Sequence, residues 1–203
     1  MSVPFHEFSA NLSYSDLPAD LLAVLRRSFT DTLGVAAVAS TTDMAKFAVR
    51  GARATFGQGN AGGARVLMDG TLLSPAGAAM AGGFTVDAVD AHDTTSPCKG
   101  HVGSAAFPAL LAMAEVMAKP LTGQDFAVSL AVCYEISCRA GLAQHATCPD
   151  YHTSGSWTAV GVAVAAARML RGDAETLRQA AGIAEYHGPR SQMMRCIDYP
   201  TMV

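Results

Sequence analysis

Residues 87 to 101 read DAVDAHDTTSPCKGH. This stretch gathers Asp87, Asp90, Asp93, Thr94, two histidines (His92 and His101) and Lys99 in a chain where only 15% of residues are charged and 50% are hydrophobic. A carboxylate beside an imidazole can orient the ring and hold it near a useful pKa, so the stretch is chemically equipped to take or give a proton. Asp90, His92, Asp93 and His101 also offer mixed nitrogen and oxygen ligands. Their spacing is loose, and no HExxH, HxH or DxDxDG pattern occurs, so no metal is expected. The third reading is an ordinary polar loop. Taken singly, the three aspartates could be solvated or cap a helix end, His92 could be exposed polar surface, and Lys99 could be solvated.

A second polar stretch, Gln144 to Ser156, carries His145, Cys148 and His152. His152 draws attention because Tyr-His-Thr-Ser-Gly-Ser leads straight into an apolar helix. His145 and Cys148 have nothing nearby in sequence to recommend them.

The segments around these loops read as mostly helix, since alanine-rich stretches favour helix and small residues let helices approach closely. A first helix begins near Ser15 or Pro18 and places Leu22, Leu25, Phe29 and Leu33 on one face. A second spans about Asp43 to Thr55, with Met44, Phe47 and Ala48 inward. ARVLMDGTLLS reads as a small hairpin turning at Asp69-Gly70. Ser74-Pro75 is an N-cap followed by proline at the first helical position. That helix runs on through residues 76–91; if it continues, Asp87, Asp90 and Thr94 share a face. Further helices cover about Ser104 to Ala118, Thr122 to Leu142 (opened by a Thr122/Asp125 capping box), Trp157 to Arg171, and Asp173 to Tyr186. The two polar loops each join such helices, and one end of a helical bundle is where a pocket can form.

The 203 residues suit one domain or a large part of a bigger one. A net charge of -3 with no basic run argues against nucleic acid. The five cysteines are odd in number and form no CxxC pair, which fits a reducing cytoplasm better than a disulfide framework. The N-terminus does not read as a signal peptide, and the most apolar stretch, Trp157 to Ala167, is too short to cross a bilayer, so no membrane partner is expected. No Walker loop, strand-GxGxxG-helix unit or GxSxG elbow appears.

The run DAVDAHDTTSPCKGHVGSAAFPALLAMAE resembles a motif of the MmgE/PrpD family, close to HAxDxDDT followed by a short loop, a histidine, a glycine and an apolar helix. The segment at 151 to 156 resembles the family's second motif, HPTGT before an alanine-rich helix. The hairpin and the following AGAAMAGG resemble its approach to the first motif. The resemblance implies a mainly α, multi-helix domain with one short β-hairpin, here the N-terminal part of a longer enzyme with a smaller α/β domain absent. It implies a homodimer without a cofactor, acting on a small di- or tricarboxylate as a dehydratase, decarboxylase or epimerase. Carried over residue by residue, the motif aspartate falls on Asp90, the threonine on Thr94, the loop histidine on His101 and the second histidine on His152. His101 and His152 would be the acid/base pair, Asp90 would orient an imidazole, and Thr94 would hydrogen-bond a substrate carboxylate. Lys99 and the more distant Arg190 are the candidate cations for an anionic substrate. The chain departs from the motif at Asp87, where the family has histidine, and at His92, where it has aspartate. The loop to His101 is one residue longer, and Thr153 replaces a proline. The rival readings are a non-catalytic truncated helical domain that self-associates or binds a partner, and a metal-dependent hydrolase resting on the first loop alone.

Overall fold

A computed structural model describes residues 3–57, 62–148 and 155–188. The mainly α expectation holds. Eight helices are described: α1 (Phe5–Asn11), α2 (Ala19–Ala39), α3 (Asp43–Phe56), α4 (Pro75–Asp87), α5 (Gly103–Val116), α6 (Gly123–Thr147), α7 (Thr158–Met169) and α8 (Ala174–His187). The strands among the described residues are β1 (Ala64–Arg65) and β2 (Leu72–Leu73), paired antiparallel with Ala64 opposite Leu73.

Local signals start most of these helices where the sequence places them. Ser74 accepts from the Gly77 amide ahead of α4, Thr122 from Asp125 ahead of α6, and Asp173 from Thr176 ahead of α8. Each satisfies one of the amides a helix start leaves unpaired. The largest core cluster joins Leu25 of α2, Phe107 and Leu110 of α5, Leu130 and Cys133 of α6, and Met169 of α7. A second packs Val49 and Ala52 of α3 and Ala78 and Ala81 of α4 under the hairpin residues Ala64, Val66 and Leu73. A third seats Leu177 and Ala181 of α8 on Val132, Ile136 and Val164.

Four expectations are corrected. The face of α3 is turned in part: Ala45, Val49 and Ala52 are buried and Ala48 packs beside them as expected, while Met44 and Phe47 are exposed, with the Arg50 guanidinium 4.7 Å above the Phe47 ring. Small residues win the inward face because α3 lies close against α4, where Phe47 has no room. The hairpin does not turn on a two-residue Asp69-Gly70 loop. Val66 donates to Thr71 and accepts from Gly70, and both Met68 and Gly70 take positive φ (64° and 79°). Helix α1 precedes the first helix read from sequence, and α6 continues past Leu142 to Thr147. Helix α4 stops at Asp87, so Asp90 and Thr94 do not continue its face. Asp90 has φ 48°, which no α-helix can hold.

By length and composition α6 could cross a membrane, but half of its most apolar window is buried inside this fold. That is the signature of a core helix.

Candidate functional site

The loop between α4 and α5 is held by its own backbone. Thr95 and Gly100 form an antiparallel bridge, and a short 3₁₀ turn, Ser96–Cys98, fills the space between them. Lys99 closes that turn in the left-handed region at φ 51°, with its side chain at the surface. The turn is anchored from beneath: the Cys98 thiol donates to the Cys138 carbonyl at 3.2 Å, and His145 Nε2 lies 2.9 Å from the Cys98 carbonyl. His145, unremarkable in sequence, therefore ties the end of α6 to this loop.

Asp93 is the other anchor, and sequence reasoning undervalued it. One carboxylate oxygen accepts from the Gly103 amide at 2.9 Å, at the start of α5; the other accepts from the Tyr134 hydroxyl of α6 at 2.5 Å. Burial and the neighbouring Asp93 charge push the Tyr134 phenol upward, so it stays protonated and donates. A Cβ on Gly103 would come within 2.8 Å of the same carboxylate, so glycine is the residue that lets Asp93 approach α5 so closely.

The same residue's main chain sets His101. Its Nδ1 lies 2.6 Å from the Asp93 carbonyl, with Thr94 Oγ1 3.2 Å away. A carbonyl only accepts, so Nδ1 carries the proton, and in the neutral ring the lone pair stands on Nε2. It is Asp93, through its backbone, rather than Asp90 that orients this imidazole.

His92 is not the exposed polar surface that its sequence neighbours imply. Its side chain is 1% exposed, and its ring packs against that of His101 with centroids 4.0 Å apart. His92 Nε2 lies 3.1 Å from Asp87 Oδ1. This is close enough to pair as ions, although the approach is too oblique for a well-directed hydrogen bond. The His92 N–H holds the Asp87 carboxyl below its usual range, and the Asp87 carboxylate raises the His92 imidazole against the opposing effect of burial. Asp87 and His92, the two positions where the chain departs from the resembled motif, thus face one another and make a carboxylate–imidazole pair.

Asp90 and Thr94 are exposed, and His101 is half-buried beside them. Ligand atoms of Asp90, His92 and His101 all lie within 4.8 Å of one another. The second polar loop reaches this site at its described end. Gly155, at φ 78°, sits so near His101 that a Cβ there would stand 3.4 Å from the His101 carbonyl oxygen. An open, mostly apolar cleft of about 430 Å³ runs alongside, bordered by Phe84, Asp87, Ser104, Gly155 and Thr158. His152 and Arg190 lie outside the described residues. The described cysteines are poor nucleophiles where burial acts on them: it pushes the Cys133 thiol up to about 12 and Cys138 to about 11.

Comparison with known proteins agrees with the motif reading. Residues 4–196 match the MmgE/PrpD N-terminal domain. The Cis-aconitate decarboxylase-like protein oryM of Aspergillus oryzae (strain ATCC 42149 / RIB 40) is 28% identical over 181 residues, covering 85% of this chain and 37% of that protein. The chain thus spans well under half the length of this relative.

Proposed function

Since this chain belongs to the MmgE/PrpD family through its N-terminal domain, we propose that it forms part of a lyase or isomerase that handles a proton alpha to a carboxylate of a small di- or tricarboxylate, without a cofactor. The observation that carries the reading is His101: its Nδ1–H is engaged by the Asp93 carbonyl, leaving Nε2 as the basic nitrogen of a ring that has Asp90 close by. A ring fixed in one tautomer and one orientation is prepared for proton transfer.

On this reading the substrate's reacting carbon lies at Nε2. Removing its alpha proton leaves negative charge that delocalises into the adjacent carboxylate. The pair of electrons then expels a hydroxide, or the carbon is reprotonated on the other face. If carbon dioxide leaves instead, the carbanion forms directly and a protonated His101 quenches it. The name of the A. oryzae relative favours this last course. In each course His152 acts as the opposing acid or base and Thr94 hydrogen-bonds a carboxylate. The intermediate carries several negative charges, so positive charge must be placed in advance. Lys99 and Arg190 are the cations assigned to it, and the homodimer is the working unit.

The test is turnover. The 203-residue chain, and any longer product of the same reading frame, are assayed with cis-aconitate and 2-methylcitrate. Activity that falls about 10²- to 10⁴-fold in His101→Gln, with the fold intact by circular dichroism, supports the role. Absence of turnover in both forms, or an indifferent His101→Gln, sinks it.

A further inference from the structure

The geometry points to a second use of this loop: a binding site for a borderline divalent metal of the zinc class, held by Asp90, His92 and His101. The inference does not depend on the reaction proposed above.

Three observations carry it. One ligand atom from each residue lies within 4.8 Å of the others. His92 Nδ1 is buried and has no hydrogen-bond partner, an expensive condition for a ring nitrogen with a lone pair or proton to place. The His101 imidazole also has its other nitrogen engaged in the way metal-bound histidines have theirs, and the His92 imidazole stands beside a carboxylate. His101 Nδ1 is held by the Asp93 carbonyl, and His92 Nε2 lies 3.1 Å from the Asp87 carboxylate, an ion-pair approach rather than a directed hydrogen bond. Such outer partners fix the ring and raise the basicity of the remaining nitrogen. The nitrogens left over are His92 Nδ1 and His101 Nε2.

The donor set is two imidazoles and a carboxylate, which suits zinc, cobalt or nickel better than magnesium or calcium. Around a tetrahedral zinc ion the ligand atoms stand about 3.4 Å apart, so the cluster must contract by up to about 1.4 Å. Asp90 can supply this, because it is exposed and mounted on a loop. Two carboxylates, Asp90 bound and Asp87 behind His92, balance the two charges of the ion. Exposed Asp90 and half-buried His101 leave a way in from solvent. A bound ion would occupy the Nε2 lone pair of His101, so it would also compete with proton transfer there.

Calorimetric titration of ZnCl₂ into the chain at mildly alkaline pH tests the site, with Co²⁺ absorption as a second readout. Asp90→Asn is the main variant, since asparagine tolerates the same left-handed backbone and the position is exposed. His92→Gln is the second. One ion per chain is expected, with visible bands of low-coordinate Co²⁺ bearing nitrogen ligands, and at least a tenfold loss of zinc affinity in each variant. No saturable binding of one ion, or binding that both variants leave unchanged, overturns the proposal; in the latter case the ion sits elsewhere, on the thiols for example.

Discussion

The contact between Asp87 and His92 ties together two positions five residues apart. Buried His92 can keep its imidazole only because a carboxylate stands 3.1 Å from Nε2. Its effect on stability has a definite sign. His92 titrates higher in the folded chain than its ordinary 6.5, so its contribution is complete below that value and is lost as pH rises through the raised one. Asp87 titrates lower than 3.8, so its contribution is present above that value and is lost as pH falls through the depressed one. The pair therefore stabilises most in the mildly acidic window between them. The gap in thermal midpoint between wild type and His92→Gln should be widest there and shrink above neutral pH. The pair's own contribution should stay below about 1 kcal/mol, because the Asp87 side chain is largely in solvent. A gap that does not vary with pH would show that packing on His101 is all that His92 contributes.

At the scale of elements, the piece that the helical periodicity missed is the one held by a charge. Helix α1 has seven residues and buries only Ser9, too little apolar surface to persist alone. Arg168 of α7 holds its far end. The half-buried guanidinium donates to the carbonyls of Ser9, of Ala10 at 2.8 Å and of Leu12 at 2.6 Å. These are carbonyls that a helix end leaves unpaired. Burial pulls the Arg168 pKa downward, yet it remains a cation. Arg168→Ala should cost about 2 to 3 kcal/mol in urea unfolding and release α1 to fast amide exchange, while α5 and α6 stay protected. Retained protection in Phe5–Asn11 would mean that apolar contacts alone hold α1.

Over the whole molecule, close helix approach decides where the site's two loops end up. Gly161 lets α7 lie against α6: a Cβ there would stand 2.0 Å from Ser137 Oγ and 2.4 Å from the Cys133 carbonyl oxygen. Helix α7 in turn begins just after Gly155 and Trp157, the residues that bring the second loop to His101 and to Cys98. Gly161→Ala should destabilise the fold by about 3 kcal/mol. Gly182→Ala, on the exposed side of α8 with nothing within 4 Å, should instead stabilise it by roughly 0.5 to 1 kcal/mol. Equal effects at the two positions, measured by denaturant midpoint, would contradict this account of the packing.

The amino-acid sequence by itself determined the helical class, the caps at Ser74, Thr122 and Asp173, the hairpin, and the stretch that holds the chemistry. These depend on residues within a turn or two of one another, and local hydrogen bonds and periodicity decide them. Only the tertiary structure decided which members of that stretch meet. Asp93 finds its partners ten and 41 residues away, at Gly103 and Tyr134. His92 is buried by the ring of His101, and α4 ends at Asp87. Spacing along the chain gives no measure of such distances. Once a loop leaves helical geometry at a residue such as Asp90, the direction of each later side chain depends on what the neighbouring helices offer it.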